Sequence, residues 1–509
     1  MQARLIIKDE VNVKIEGLDL DDRRDFVKKF KYTDPKARYL PSVRLGRWDG
    51  KIAFFQLGGS TYINLLPEIL PELEARGYDI DIDDQRIYKT TFEFQRINEQ
   101  TFANKLWPTG HPLAGQPITL RDYQVEIINN FLTNPQSLQE VATGAGKTIM
   151  TAALSSSVEC YGRSIVIVPN KSLVTQTEAD YANLGLDVGV YFGDRKEVGR
   201  RHTICTWQSL NTLLKSSQGR TSESEPASLR LLRDPTDYII DDLVEGVVCV
   251  IVDEVHMAKA DALKSLLTGT FSHVPIRWGL TGTIPKEDFE YVSLRCSIGD
   301  VIGRLSAAEL QQAGHLAQCQ VNVLQLVDYV EYKDYQTELK YLTTSADRIG
   351  YIAKLIDKIK DGGNTLILVD RIETGKMLQT ELSSLFSLLT DKPEVAFISG
   401  SMKANDRKEE YDEVAISNNK IIVATYGVAA VGINIPRIFN LVLLEPGKSF
   451  VRVIQSIGRG IRKAEDKDFV QIWDVTSTCK FSKRHLTKRK SFYREAQYPF
   501  EVEKIEWQK

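Results

Sequence analysis

A glycine-rich stretch at residues 141–148, VATGAGKT, carries the residue types best suited to holding a phosphate. Its glycines let backbone N–H groups curl around a phosphate, Lys147 would reach the β and γ groups, and the Thr148 hydroxyl would ligate Mg²⁺. The helical pattern that follows adds the positive end of a helix dipole. We therefore predict an ATP and Mg²⁺ site whose nucleotide contacts in this loop are Thr143, Gly144, Ala145, Gly146, Lys147 and Thr148.

One residue departs from the usual pattern of such loops. Val141 stands where a glycine or alanine commonly opens the motif. A Gly-x-Gly-Lys-Thr before a helix also occurs without any nucleotide, so the loop taken alone leaves both interpretations open.

An acidic pair, Asp253 and Glu254, ends the apolar run VVCVIVDE. The ligand crevice of an open parallel sheet lies at the carboxyl ends of its strands. In that place Asp253 is suited to hold Mg²⁺ and Glu254 to position or deprotonate the attacking water. Such a pair can instead cap the next helix, but its combination with the phosphate loop favours the catalytic interpretation.

Short, continuously apolar runs alternate with helical patterns along most of the chain. Runs of this kind are typical of strands buried on both faces of a parallel sheet. A first series lies at residues 164–169, 246–254 and 277–283. A second series follows at residues 364–370, 394–400, 420–426, 440–446 and 469–475. The alternation predicts an α/β fold class with two doubly wound parallel-sheet domains in tandem.

The remaining segments complete the domain organisation. Strand-like alternation at residues 4–7, 11–15 and 52–55, with a helical period at residues 21–30, predicts a small α+β N-terminal domain. A linker containing Pro and Gly follows, and the polar residues 216–237 are expected to form an exposed excursion. The predicted domains are residues 1–112, 113–304, 305–478 and 479–509, the last being a basic C-terminal tail.

The composition is that of a globular protein with about three domains: 509 residues, 42% hydrophobic and 26% charged. No apolar run reaches the roughly 18 residues of a membrane span, and the start lacks the basic-then-apolar form of a signal peptide. The six cysteines stand singly, without a CxxC pair. This spacing disfavours a disulfide framework or a zinc site and favours a reducing compartment.

The net charge of −3 conceals two basic stretches. Residues 36–51 carry five cations against one acid, and residues 480–494 carry seven against none. Cations with interleaved aromatic side chains suit a phosphate backbone and stacked bases. The nucleic-acid contacts predicted here are Arg44, Arg47, Trp48, Lys51, Lys488, Arg489 and Lys490. Solvated faces, a Trp48 buried in a small core, or aromatic docking of the tail on the preceding domain are the alternatives.

Taken in order from Leu120 to Arg462, the motifs resemble those of superfamily 2 helicases. LRDYQ at residues 120–124 is similar to the adenine-reading element of that family. DEVH at residues 253–256 resembles the DExH form of motif II, and LTGT at residues 280–283 resembles motif III. VATYGVAAVGINIP at residues 423–436 and QSIGRGIR at residues 455–462 look like motifs V and VI.

The resemblance implies roles for residues outside the phosphate loop. Further nucleotide contacts would come from Arg121, Tyr123, Gln124 and Gly432. Gln455 would face the ATP cleft, and Arg459 and Arg462 would serve as arginine fingers, because an arginine keeps its charge and its planar fork matches phosphate oxygens. Nucleic-acid contacts would come from Pro169, Gln176, Thr206, Gln208 and Thr425.

The family resemblance also implies a fold and an activity: two RecA-like lobes that share one ATP site and use hydrolysis to move on nucleic acid. Within the family, residues 39–56, the compact length and the basic segment after motif VI are similar to phage recombination helicases. That similarity implies remodelling of branched DNA in recombination, replication and repair. It also implies a phage-encoded protein in the host cytoplasm. We expect DNA as the partner, branched or duplex and possibly single-stranded, with no membrane; the oligomeric state stays open, with a monomer expected.

Three other activities stay open at this point. A double-stranded DNA translocase that separates no strands would share every ATP motif, although no nuclease or methyltransferase cluster accompanies the motifs. An RNA helicase is disfavoured by DEVH in place of DEAD and by the leading domain. A passive nucleic-acid-binding protein is disfavoured because Lys147, Asp253, Glu254, Gln455, Arg459 and Arg462 are all present.

Overall fold

The computed structural model describes most of the chain as two compact units. It describes all residues except 90, 110–112, 218–237, 256–260, 388, 390, 391, 401, 403–409, 411, 412, 415, 416, 430–434, 436 and 509, and it leaves undescribed the side chains of residues 172, 261, 361, 429, 450, 451, 455 and 459. The first unit comprises Met1–Val141 with Gly146–Arg304, and the second comprises Leu305–Lys509 with Ala142–Ala145. Within the described residues, no helix is long and apolar enough to cross a membrane.

The N-terminal region of the first unit is a small α+β structure. Its strands are β1 (Gln2–Ile7), β2 (Asn12–Glu16), β3 (Lys31–Thr33), β4 (Lys51–Ala53), β5 (Ser60–Tyr62) and β6 (Asp79–Asp84). Its helices are α1 (Leu20–Lys29), α2 (Pro41–Arg44) and α3 (Leu66–Ala75), with 3₁₀ turns at Ala37–Tyr39 and Ile63–Leu65. Four strands form a mixed sheet in the order β5-β2-β1-β6, while β3 and β4 form a separate antiparallel ribbon. Phe26, Phe30, Phe54 and Phe55 fill its core.

An eight-stranded sheet follows in the order β10-β9-β11-β8-β12-β13-β7-β14. Its strands are β7 (Gln136–Val141), β8 (Arg163–Val168), β9 (Val188–Phe192), β10 (Arg195–Lys196), β11 (His202–Thr206), β12 (Val247–Asp253), β13 (Ile276–Thr281) and β14 (Asp300–Leu305). The helices are α4 (Asp122–Thr133), α5 (Lys147–Val158), α6 (Lys171–Asn183), α7 (Trp207–Ser216), α8 (Ile240–Val244), α9 (Asp261–Ser265) and α10 (Asp288–Ser297), with a π-helical turn at Leu266–Thr270.

The apolar runs of this unit form its central strands. β8, β12 and β13 are neighbours that pair in parallel, and almost all of their residues are buried. Burial on both faces explains why these strands read as continuous apolar runs rather than as alternating ones. The predicted excursion at residues 216–237 lies mostly outside the described residues.

A seven-stranded parallel sheet in the order β17-β18-β16-β19-β20-β15-β21 forms the second unit. Its strands are β15 (Gln318–Leu326), β16 (Thr365–Val369), β17 (Glu394–Ile398), β18 (Lys420–Thr425), β19 (Asn440–Leu444), β20 (Phe469–Ser477) and β21 (Phe500–Ile505). The helices are α11 (Ala307–Gln312), α12 (Tyr335–Thr344), α13 (Ala346–Ile359), α14 (Ile372–Phe386), α15 (Tyr426–Ala429), α16 (Phe450–Gly460) and α17 (Lys480–Glu495), with a 3₁₀ turn at Lys360–Gly362. The prediction of two α/β parallel-sheet domains after a small α+β domain is confirmed.

The prediction of a separate basic tail at residues 479–509 is wrong. Residues 480–495 form α17, and residues 500–505 form β21, which pairs in parallel with β15 inside the sheet of the second unit. The rings of Tyr493 and Phe500 lie 5.8 Å apart and tie the helix to the strand. The segment is therefore an integral part of the second domain.

The six cysteines are free thiols, which agrees with their isolated spacing in the sequence. Cys160 is exposed, and the other five are buried as free thiols. Burial raises the pKa of Cys319 and Cys479 to about 11. These thiols act as small apolar groups of the two cores.

Candidate active site

The phosphate loop connects the end of β7 to the start of α5. Gly144 and Gly146 have φ values of 92° and 82°, in the left-handed region that glycine adopts without strain. A Cβ atom on Gly146 would lie 2.7 Å from Nε2 of Gln124, so the close approach also requires glycine there. Val141 is fully buried as the last residue of β7. Its departure from the usual motif therefore falls in the strand and leaves the curvature of the loop intact.

The LRDYQ element lies beside the phosphate loop, where the Gln124 side chain comes close to Gly146. This side chain is buried, and its Oε1 accepts a hydrogen bond of 2.9 Å from the backbone N of Arg121 at the start of α4. The Arg121 guanidinium donates to the Tyr123 hydroxyl at 2.8 Å. The three residues predicted to read the adenine are thus brought together beside the loop.

Lys147 and Glu254 form a salt bridge at the carboxyl end of the sheet. Nζ of Lys147 lies 2.9 Å from Oε1 of Glu254, and only about a tenth of each side chain is exposed. Lys147 also donates to the Val141 carbonyl at 3.4 Å. The first residue of the phosphate-loop helix and the residue after β12 therefore meet where the sequence predicts the γ-phosphate.

Glu254 has a strained backbone and oriented carboxylate oxygens. Its φ of 51° is uncommon for a residue with a side chain. Its backbone N donates to Oδ1 of Asp253 at 2.8 Å, and its Oε2 accepts from the backbone N of Gly282 at 3.4 Å. Gly282 belongs to the LTGT motif, in which the Thr281 hydroxyl donates to the Thr283 carbonyl. Motif III thereby reaches the carboxylate predicted to act on water.

Asp253 is a half-buried carboxyl group with a perturbed pKa. Burial and then the charge of Glu254 raise the pKa of Asp253 to about 6, while Lys147 opposes the shift. Hydroxyl and carboxylate oxygens are the ligands that Mg²⁺ takes from proteins. Thr148 and Asp253 are therefore a donor set that fits Mg²⁺.

The candidate residues of the second unit are only partly described. Gln455 and Arg459 lie on α16, but their side chains are outside the described residues, as is Gly432. Arg462 is half-buried just beyond the end of that helix. The roles predicted for these residues stay predictions.

A buried lysine that sequence reasoning missed supports this end of α16. Lys467 is 1% exposed, and its Nζ donates to the carbonyls of Gly460 and Arg462. Burial and then the charge of Arg462 lower the pKa of Lys467 to about 7. The run KAEDKD that contains it looks like a surface loop, so no signal in the sequence pointed to a buried amine.

The candidate nucleic-acid residues of the first sheet lie at neighbouring strand ends. Pro169 follows β8 and Thr206 ends β11, and these two strands pair in parallel. Nε2 of the exposed Gln208 is 3.5 Å from the Pro169 carbonyl oxygen, while Thr206 is buried as the N-cap of α7. Gln176 is half-buried on α6. In the second unit, Thr425 is the half-buried last residue of β18.

Among the basic residues, the structure separates exposed candidates from buried ones. Arg44, Arg47 and Lys51 are exposed, and Trp48 is half-buried with its Nε1 donating to the Lys51 carbonyl at 3.1 Å. On α17, Lys488 is exposed and Lys490 is half-buried.

The prediction that Arg489 contacts nucleic acid is wrong. Its side chain is fully buried, with Nε and Nη2 donating to the two oxygens of Asp474 at 2.8 and 2.9 Å and Nη1 donating to the Gly447 carbonyl at 2.7 Å. A guanidinium saturated in this way is not available to a phosphate.

Two family models match the two α/β regions. Residues 117–286 match the type III restriction enzyme res subunit family, and residues 347–464 match the helicase conserved C-terminal domain. In a solved structure, a fragment of an HsdR subunit of a type I restriction enzyme from Vibrio vulnificus has a TM-score of 0.56 at 18% identity, covering 76% of this chain and 69% of that one. The restriction-modification enzyme LlaBIII bound to DNA has a TM-score of 0.56 at 16% identity, covering 86% of this chain and 34% of that one. These structures share the fold.

Two helicases are similar to this chain in sequence. The ATP-dependent DNA helicase UvsW of Enterobacteria phage T4 is 22% identical over 501 residues, which cover 95% of this chain and 91% of UvsW. The DNA 3'-5' helicase XPB of Kineococcus radiotolerans is 24% identical over 403 residues, covering 77% of this chain and 65% of XPB. With the motifs in family order and both helicase domains matched, the chain belongs to superfamily 2 of the helicases and is an ATP-hydrolysing enzyme that acts on nucleic acid.

Proposed function

We propose that this enzyme is a DNA helicase and branch-migration motor that remodels branched DNA in recombination, replication and repair. The observation that carries the proposal is the salt bridge of Lys147 with Glu254 next to the half-buried Asp253, an arrangement suited to a hydrolytic nucleotide site. The names of UvsW and XPB support DNA as the substrate. The resemblance of residues 39–56 to phage recombination helicases favours branched DNA.

The salt bridge would link phosphate binding to the ability of Glu254 to accept a proton. A γ-phosphate in the loop would compete with the Glu254 carboxylate for the Lys147 ammonium group, because both are anions within its reach. Release of Oε1 leaves the carboxylate free to accept a proton from the attacking water. The Gly282 N–H on Oε2 keeps the carboxylate oriented during this exchange.

Thr148 and Asp253 are proposed to hold Mg²⁺. The ion, when bound with ATP, supplies positive charge that neutralises the phosphate oxygens. Asp253 lies half-buried beside another carboxylate, so a countercharge that arrives with the nucleotide would stabilise its negative charge. The pKa of Asp253 is raised by desolvation and by the neighbouring charge of Glu254.

Arg459 and Arg462 are proposed to stabilise charge in the transition state, as the family resemblance implies. Lys467 satisfies two carbonyls at the end of α16 and so fixes the backbone that carries Arg462. A helix end held by a buried amine is more rigid than one left to solvent.

The experiment that tests the proposed function measures ATP hydrolysis and strand separation on single-stranded, duplex, forked and four-way DNA, with a forked RNA as control. We expect the wild-type enzyme to open forked and four-way DNA only with ATP. Lys147→Ala should bind DNA but lose turnover by roughly 10²–10³-fold, because a positive charge at the transferred phosphate is lost. Lys215→Ala, which removes an exposed lysine on α7, is the matched control.

A second candidate function is a duplex translocase that separates no strands. It is favoured by one relative, the DNA 3'-5' translocase XPB2 of Sulfurisphaera tokodaii, which is 26% identical over 200 residues. Stimulation of ATP hydrolysis by plain duplex without opening of forks would establish the translocase and contradict branch remodelling. Preferential opening of the RNA fork would contradict DNA as the substrate.

A further inference from the structure

Residues 34–50 connect the antiparallel strands β3 and β4 as an ordered hairpin loop. A hydrogen bond of 2.9 Å from Asp34 N to the Gly50 carbonyl closes its base. At its far end the backbone N–H groups of Arg47 and Trp48 both donate to the Ser42 carbonyl, at 2.8 and 3.2 Å. The 3₁₀ turn Ala37–Tyr39 and α2 lie within it. The side chains of this loop are thus presented on a backbone with a defined conformation.

Large apolar side chains of this hairpin are exposed. Tyr39, Leu40 and Leu45 are 61%, 42% and 65% exposed, although they lie within seven residues of one another. Gly46, with a φ of 67°, turns the chain immediately after Leu45. Exposed apolar groups clustered in this way mark a surface that is covered by a partner.

Two of the cations beside these groups, Arg44 and Arg47, have no acidic partner among the described residues. Arg38, Arg44 and Arg47 are all exposed. Among the residues the structure describes, neither Arg44 nor Arg47 makes a salt bridge, whereas the acid of this loop nearest to them, Asp49, is paired with Lys31 at 2.7 Å. The hairpin therefore combines free positive charge with exposed apolar surface.

Nucleic acid is the partner whose chemistry fits both properties. Its phosphates pair with arginine, and the faces of its bases accept apolar side chains that are inserted between two base steps. The Arg38 guanidinium lies 4.7 Å from the centroid of the Tyr39 ring, so a cation and an exposed aromatic group lie side by side on this hairpin.

We propose that residues 34–50 form a junction wedge, which inserts Leu45 and its apolar neighbours between bases at a DNA branch point. Arg44 and Arg47 hold the flanking phosphates, and Trp48 anchors the hairpin through its hydrogen bond to the Lys51 carbonyl. The inference rests on the proposed action on branched DNA and adds the residues that keep the separated bases apart. ATP hydrolysis would then drive DNA past a fixed wedge.

The test compares Leu45→Ala with Leu57→Ala on a forked DNA that carries 2-aminopurine at the first paired base. Leu57 is a matched control because it is 50% exposed in the same region but lies outside the hairpin. In Leu45→Ala we expect the number of base pairs opened per ATP hydrolysed to fall about tenfold, the lower end of the change expected when one leucine leaves an apolar contact. The 2-aminopurine fluorescence that wild-type enzyme induces should fall with it, and Leu45→Met should restore both.

The outcomes separate the wedge from the proposed function. Failure of the wild-type enzyme to open any fork contradicts the proposed function. If the wild-type enzyme opens forks and Leu45→Ala matches Leu57→Ala in both measurements, the wedge is overturned. If the double variant Arg44→Ala, Arg47→Ala weakens fork binding while Leu45→Ala changes neither measurement, the hairpin is a phosphate clamp only, and the wedge is likewise overturned.

Discussion

Glu254 and Glu445 occupy matching places in the two parallel sheets, yet a catalytic role is proposed for only one of them. Each directly follows the last residue of a central strand, β12 or β19, and each is buried. Their φ values, 51° and 45°, both lie in the left-handed region. The two glutamates therefore share a strand position, a burial and a strained backbone.

Their partners differ. Glu254 faces Lys147, an ammonium group that a phosphate can attract away. Glu445 accepts from Arg348 at 2.9 Å and from the Ser482 hydroxyl at 2.8 Å. Arg348 is itself fully buried and donates to the Leu342 carbonyl at 2.8 Å. Under the proposed function, the glutamate whose partner a ligand can displace acts in catalysis, and the glutamate whose partners are fixed has a structural role.

The largest predicted difference between Glu254 and Glu445 is in catalytic turnover. Glu254→Gln keeps the size of the side chain but removes the proton acceptor, so turnover should fall by roughly 10²–10⁴-fold. Nucleotide binding should persist, because the glutamine leaves Lys147 free for the phosphate. Single-turnover hydrolysis and nucleotide affinity measure the two effects. Glu445→Gln is the matched control, and equal losses of turnover in both variants would show that the two positions do not differ in chemistry.

The next effect is on stability. Glu445→Ala leaves the buried Arg348 without one of its carboxylate partners, and breaking a buried pair in this way costs about 3–5 kcal/mol. Glu254→Ala should cost less, because Lys147 is not fully buried and keeps the Val141 carbonyl as a partner. Urea unfolding of both variants gives the comparison. A similar shift of the two midpoints would contradict the distinction between exchangeable and fixed partners.

A smaller effect, on DNA affinity, is expected from two lysines of α17 that are not buried. The charge reversals Lys488→Glu and Lys490→Glu should weaken DNA affinity and lower its dependence on log salt by at most about 0.9 for each phosphate that is no longer neutralised. Lys504→Glu, on the exposed β21, is the control. An unchanged slope would show that Lys488 and Lys490 face solvent and do not contact DNA phosphates.

The smallest effect concerns a saturated network in the first unit. His202 is buried between the Ser164 hydroxyl and the Glu159 carboxylate, each at 2.7 Å, and burial lowers the pKa of its imidazole while Glu159 opposes the shift. The unfolded state therefore binds the proton more readily, so stability is highest above pH 6.5 and falls as the pH decreases through the native pKa. Urea midpoints at about pH 5 and pH 7 should differ less in His202→Gln than in the wild-type enzyme. An equal difference in the two proteins would show that a group other than His202 lowers the stability at acid pH.

The same network shows why a row of serine, histidine and carboxylate is not by itself catalytic. Ser164 is 1% exposed in the middle of the sheet, so no substrate reaches its hydroxyl. Like Glu445, these side chains are polar groups whose partners are fixed.

The sequence predicts many of the buried strands, such as the apolar β8 and β12, but it misses others. β7, QSLQEV, was not predicted, because Gln139 and Ser137 interrupt the apolar pattern. In the structure Gln139 is buried and its amide donates to the Ile127 carbonyl at 2.7 Å. A satisfied polar group can lie in a buried strand, and only tertiary structure shows that it is satisfied.

The candidate site divides in the same way. Lys147, Asp253 and Glu254 were predicted by residue type and order, but the φ of Glu254 and the contact of Gly282 with its carboxylate depend on three-dimensional packing. The burial of Arg489, which contradicts its predicted contact with nucleic acid, has a signal in the sequence. The buried positions 482, 486, 489 and 493 of α17 follow a helical period, so a single arginine of the basic run falls on the stripe that faces the sheet.

The strand β21 has a consequence for behaviour in concentrated solution. Without it, β15 would present an open row of backbone donors and acceptors along a nine-residue strand, which is a template for pairing with another molecule. β21 covers that row and replaces it with a shorter edge whose exposed side chains include Glu501, Glu503 and Lys504. Charges on an outermost strand repel a second copy that approaches in register. The segment predicted to be a basic C-terminal tail thus protects the sheet against edge-to-edge aggregation.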